Sequence, residues 1–128
     1  MNISDYFESL RLRILNDSFI LHVDILRERN RSKNGYLRAR LVFVDNSMLE
    51  FPEYIEQNAQ NEIALVTYSY HWTDSIGNML QRWDNAPHFP GLPNFPLHIH
   101  NGNTGDVTDG NPVNLFFVLD EIGSVLKK

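Results

Sequence analysis

Cysteine is absent from the 128 residues, which removes disulfides, thiol nucleophiles and cysteine metal sites together. No stretch approaches the roughly 18 apolar residues that span a bilayer, and Met1 to Asp5 carries neither the basic nor the apolar region of a secretion signal; a cytoplasmic location is expected. There is no glycine-rich phosphate loop, no nucleophile elbow and no pair of carboxylates at a suggestive spacing, which argues against nucleotide hydrolysis and glycosidase chemistry. Internal repeats and low-complexity tracts are also missing. Any chemistry therefore falls to His, carboxylates, Tyr or Arg.

At 42% hydrophobic residues, the chain suffices for one compact domain, 1–128, with a core of its own. Its net charge of −5 is unevenly spread. Residues 11–40 hold eight basic side chains (Arg11, Arg13, Arg27, Arg29, Arg31, Lys33, Arg38, Arg40) against Asp17, Asp24 and Glu28, a local +5 that leaves −10 for the remainder. Such asymmetry suggests a basic face on an acidic body, able to hold an anionic strand locally. A solvated hairpin that only keeps the protein soluble is the plainer alternative.

Ser4 is placed to cap a helix over 4–15, in which Phe7, Leu10, Ile14 and Leu15 recur at helical spacing. From Phe19 the period changes to two. Phe19, Leu21, Val23 and Ile25 mark a strand over 18–29 with one strongly buried face, and Leu37, Ala39, Leu41 and Phe43 mark a second over 36–45, with Arg38 and Arg40 opposite. The polar segment between them ends in Asn34-Gly35, a turn signal. A third strand, 48–55, contains Pro52, which favours an edge or a bulge. A fourth, 63–72, and a fifth, 78–84, flank a turn at Asp74 to Gly77. Asn111 and Pro112 suit the start of a last helix, 112–127, with Leu115, Phe116, Leu119, Ile122 and Leu126 along one stripe. The expected fold is α+β, a five-stranded antiparallel meander with a helix from each end packed on it.

Residues 85–111 lose periodicity and read as a long His/Pro-rich loop. Pro87, Pro90, Pro93 and Pro96 recur every third residue, the period of polyproline II; Phe89, Leu92, Phe95 and His98 would form a packing ridge on the same brace. Beyond it, His98 and His100 are two apart, so an extended backbone projects both rings to one side. With His71 and His88 they place four of five histidines within thirty residues. Paired imidazoles serve as general acid and base near neutral pH, or as ligands for a divalent metal. A structural role would make His71 a cross-strand residue and His98 a packing residue. Whether His71 shares a face with Arg82 and Asp84 turns on the register of the Asp74–Gly77 hairpin.

The runs Tyr68-Ser69-Tyr70-His71, Arg82-Trp83-Asp84-Asn85-Ala86-Pro87-His88, Leu92-Pro93-Asn94-Phe95-Pro96 and His98-Ile99-His100 resemble the signature region of TumE-type toxin–antitoxin proteins. The resemblance points to His71, Arg82, Asp84, His88, His98 and His100 as the site; Phe89 and Leu97 depart from the family pattern, standing where relatives carry further histidines. It implies a toxin neutralised by a cognate antitoxin, and small toxins of this kind commonly attack RNA. On that reading His98 or His100 takes the ribose 2′-hydroxyl proton and His71 or His88 protonates the leaving 5′-oxygen. Arg82 stabilises the phosphate charge, Asp84 orients a histidine, and Arg27, Arg29, Arg31, Lys33, Arg38 and Arg40 grip the strand. No cofactor is required, and a homodimer is a further option. The alternatives are a non-catalytic module that docks an antitoxin or other partner, and a hydrolase holding a divalent metal through His88, His98, His100 and Asp84.

Overall fold

The period-two segments pair in the order in which they occur. The computed structural model describes residues 1–86, 96–110 and 113–126. In it β1 (Ile20–Asn30), β2 (Asn34–Phe43), β3 (Met48–Gln57), β4 (Ile63–Thr73), β5 (Met79–Asp84), β6 (His98–Asn101) and β7 (Val107–Asp109) form one antiparallel sheet in sequence order. α1 (Ile3–Asn16) precedes the sheet and α2 (Leu115–Leu126) follows it. The α+β class and the antiparallel meander hold, but the sheet has seven strands rather than five. The stretch expected as a loop over 85–111 supplies β6 and β7. His98-Ile99-His100 alternates as a strand does, yet so short a segment shows itself only where β5 is present to pair with it. His98, expected on a proline brace, lies in β6 instead. The brace residues Pro87, Phe89, Pro90, Leu92, Pro93 and Phe95, together with His88, Asn111 and Pro112, lie outside the described residues.

Both helices start at caps other than those expected. Asn2 and Asp5 form a reciprocal capping box, the Asp5 amide donating to Asn2 Oδ1 at 2.8 Å and the Asn2 amide to Asp5 Oδ2 at 3.1 Å, so Ser4 falls inside α1. At α2 the Phe117 amide donates to Asn114 Oδ1 at 2.9 Å, and the helix begins at Leu115. Phe7, Leu10 and Ile14 of α1 and Leu115, Val118, Leu119 and Ile122 of α2 share one core with alternate residues of β2, β3 and β4, closed by Trp83 of β5. Each large apolar side chain buried there contributes about 1.5–3 kcal/mol. Gly35, expected in a turn, is a strand residue, and a Cβ there would lie 2.7 Å from the Phe7 ring, so its bareness lets α1 approach β2. Glu53 is fully buried in this core. Its carboxylate accepts from the Tyr6 and Tyr70 hydroxyls, both at 2.5 Å, and from the Leu115 amide, tying both helices to the sheet.

β1 is an outer strand of the sheet and departs most from expectation. Register shifts between Ile20 and His22 and between Ile25 and Arg27 break its alternation, and its residues are half-buried or exposed where one strongly buried face was expected. Bulges of this kind are common at sheet edges. Pro52 stands in β3, between β2 and β4 rather than at an edge. The pairs with β4 run to Glu50↔His71 and resume at Glu53↔Tyr68, with a bulge following at Tyr54 and Ile55, so the missing N–H falls where the ladder is interrupted. No helix among the described residues is long and apolar enough to cross a membrane.

Candidate active site

Residues directly opposite one another in an antiparallel ladder project to the same side. The pairs Asp24↔Arg40, Arg40↔Glu50, Glu50↔His71, His71↔Arg82 and Arg82↔His100 therefore make one row across six strands, on the face turned away from the helices. A neighbouring row is Ser69↔Asp84↔His98. The hairpin register that sequence leaves open is thus decided. Asp74 Oδ1 accepts from the Ile76 and Asn78 amides, and a register shift between Trp72 and Thr73 aligns His71 with Arg82, on the side that also carries Asp84. At about 4.8 Å per strand, His71 and His100 stand about 10 Å apart at Cα with Arg82 between them.

A groove of about 400 Å³ runs along this face, from Arg38 and Arg40 on β2 to Arg82 on β5, and Glu50, Ser69 and His71 line it between them. Arg82 is fixed from two directions, Nε donating to Ser69 Oγ at 3.1 Å and Nη2 pairing with Asp84 Oδ2 at 2.9 Å. Asp84 is itself buried and accepts from the Ala86 amide at 2.6 Å. His98 is buried too. Its Nδ1 lies 2.9 Å from the Pro96 carbonyl, which can only accept, so the Nδ1 proton is placed and Nε2 points to Asp84 Oδ2 at 3.9 Å. The His98 and His100 rings meet edge-on at 4.9 Å. Leu97, beside them, packs on the core.

Burial lowers the pKa of His71, assisted by the Arg82 charge and opposed by Glu50. Burial lowers that of His100 as well, assisted by His98, Arg82 and His71 and opposed by Asp84. Glu50 is held below the usual carboxylate range by hydrogen bonds from Arg40 and Arg38, at 2.7 Å and 2.6 Å. Glu50 and Ser69 are not among the residues singled out from sequence; their alternation with Leu49, Phe51, Tyr68 and Tyr70 is the signal that could have found them.

Of the residues singled out from sequence, His71, Arg82, Asp84, His98 and His100 come together, and His88 lies outside the described residues. Asp84, His98 and His100 bring ligand atoms within 4.8 Å of one another. The basic segment divides. Arg13 pairs with Asp17 and Asp120, and Arg11 with Glu28 and Glu8. Arg38 and Arg40 line the groove. Arg27 is opposite Arg38, and Arg29 lies over the Tyr36 ring, 6.0 Å from its centroid. Among the described residues, Arg27, Arg29, Arg31 and Lys33 are exposed and take part in no ion pair.

The family model described as Toxin TumE matches residues 10–126, a span that contains the whole groove and every histidine. The chain belongs to the TumE toxin family. Membership gives it a toxin role and implies an antitoxin partner. No curated protein and no solved structure matches it. Within this TumE chain the residues that carry the sequence resemblance, from Tyr68 to His71 and from Arg82 to Asp84, with His98 to His100, form three adjacent strands of one sheet.

Proposed function

We propose that this TumE toxin cleaves RNA by metal-independent acid–base catalysis on the outer sheet face, where His71 and Arg82 line the groove and His100 stands on the next strand. The observation that carries the reading is Arg82 standing between two half-buried histidines, His71 and His100, with a buried carboxylate, Asp84, fixing its guanidinium. A scissile phosphate on Arg82 has a proton-transfer group on each side. His100, kept neutral by burial and by the cationic groups around it, takes the proton from the 2′-hydroxyl. The 2′-oxygen bonds to phosphorus, the bond from phosphorus to the 5′-oxygen breaks, and His71 gives its proton to the departing oxygen. Burial and the Arg82 charge lower the His71 pKa, which makes its protonated ring a stronger acid, and Glu50, opposite it in the ladder, partly offsets that shift. Arg82 stabilises the charge gathering on the non-bridging oxygens. His98 is too buried to act on substrate and orients His100, a narrowing of the choice left open by sequence. Arg27, Arg29, Arg31, Lys33, Arg38 and Arg40 hold the flanking strand.

The test is induced expression of wild type, His71→Ala and His100→Ala, with growth and total RNA followed together, and cleavage of a defined oligonucleotide by the purified proteins. Growth arrest with RNA loss in wild type alone, with products ending in a 2′,3′-cyclic phosphate and no cutting at a 2′-deoxy position, is expected. Arrest with intact RNA would sink the reading. A second reading, a metal-dependent hydrolase, is favoured by the clustering of Asp84, His98 and His100. Against it, Arg82 already occupies Asp84 Oδ2 and would repel a cation there. Full cleavage in chelator excludes this second reading; loss restored by a divalent ion supports it.

A further inference from the structure

The edge of the sheet formed by α1 and β1 holds an apolar cleft that the RNA reading does not use. The cleft is about 170 Å³, lined by Ile14, Leu15, Val23 and Ile25 and the Arg11 side chain. Leu15 is 77% exposed, Leu21 62% and Leu12 52%, with Ile25 and Leu26 not far behind. Leu15 and Ile25 belong to the cleft itself, and Leu12, Leu21 and Leu26 are exposed on the same helix and strand. β1 also ends the strand order, so the backbone groups on its outer side are not used by the sheet. At the far end of the same strand the hairpin tip carries Arg27, Arg29, Arg31 and Lys33, none of them in an ion pair among the described residues.

We propose that this α1–β1 edge is the docking site of the antitoxin, which enters through an acidic amphipathic segment. Its apolar side chains fill the cleft, and its carboxylates lie along the four basic side chains of the hairpin. The charge pattern selects this occupant over a second copy of the chain. A second copy adds four more cations of the same kind, whereas an acidic segment neutralises the four already exposed. The bulges at Leu21 and Leu26 also spoil the long flat edge that β1-to-β1 pairing needs. The inference rests on the family's implied antitoxin and on this surface, and stands whether or not RNA is the target.

The experiment is a titration of the purified toxin with its cognate antitoxin, for wild type, Leu15→Asp and Leu26→Asp, together with toxicity of each variant expressed alone and with the antitoxin. Leu15 and Leu26 are exposed and lie outside the groove, so both variants are expected to keep the wild-type melting temperature and full toxicity alone. Each should weaken antitoxin binding by roughly thirtyfold or more, the size of a hot-spot loss, and escape neutralisation. Wild-type affinity should also fall as salt rises. Wild-type antitoxin affinity in both variants would overturn the proposal. So would a concentration-dependent toxin dimer that Leu15→Asp abolishes, since the edge would then belong to a second copy.

Discussion

Substituting Gly102 by alanine tests whether β6 must lie hard against β5 for the site to work. A Cβ at Gly102 would fall 1.7 Å from the Met79 carbonyl oxygen and 2.4 Å from its carbon, both backbone atoms that cannot swing aside. The turn after β6 must then retreat from β5 by well over an ångström. That retreat breaks the bond from the Gly102 amide to the Leu80 carbonyl, now 3.0 Å, and loosens the pairs Gln81↔Asn101 and Arg82↔His100 next to it. Overpacking of this kind costs about 1–3 kcal/mol, or a fall of about 5–10 °C in melting temperature for a chain of this size. The effect on chemistry is larger, because a misplacement of about 1 Å costs on the order of 100-fold in rate. Gly105, in the same turn, supplies the control. Its φ of 74° makes alanine strained, at about 1–2 kcal/mol, but nothing lies within 4 Å of the added atom, so β6 need not move. Melting curves and oligonucleotide cleavage on both variants give the answer. The expected result is a folded Gly102→Ala protein with little activity beside an active Gly105→Ala protein. Wild-type cleavage by Gly102→Ala would refute the claim that close β5–β6 packing builds the site.

Three further outcomes are expected. His71→Ala and His100→Ala should each slow cleavage by about 10²–10⁴ with little change in melting temperature, whereas His98→Ala should lose stability as well, since it empties a buried position; a His98 variant as stable as wild type would contradict its placement. Glu53→Gln should alter the pH dependence of urea unfolding. Burial raises the Glu53 pKa, so as pH falls the folded state takes up this proton at a higher pH than the unfolded chain, whose glutamates titrate near about pH 4.3. Wild type should gain stability relative to the variant as pH falls from 7.5 to 5, and a constant difference would show that the carboxyl is not perturbed. Replacing Arg27 and Arg29 together by alanine should reduce the slope of log affinity against log salt for a single-stranded oligonucleotide by about 1.4, about 0.7 for each phosphate no longer neutralised; an unchanged slope would move the strand off this hairpin.

Much of the scaffold is legible along the chain, because alternation and helical spacing are local properties. The run from Leu37 to Phe43 states its buried face, Leu115 to Leu126 its stripe, and Asp74 to Gly77 its turn. The spacing of His98 and His100 is enough to put both rings on one side once the backbone is extended. What a single strand cannot state is its register against another or its place in the sheet. A slip of one residue would have put His71 on the core side of Arg82, and only the shift at Trp72 and Thr73 decides otherwise. Pro52 reads as an edge or bulge residue because its missing N–H is local, while the interruption that accommodates it belongs to the β3–β4 pair. β1 reads as well buried because its composition is apolar, but bulges and an outermost position leave those side chains exposed. Burial separates His98 from His100, and Asp84 and Glu53 from the surface carboxylates, and it depends on what the rest of the chain packs over each atom. Sequence alone therefore determined the two helices, the first five strands in their order, the supply of histidines and carboxylates, and the family. Tertiary structure decided which of those residues share a face, which of them solvent can reach, and how exposed the α1–β1 edge is left, because each of these depends on the packing of segments distant along the chain.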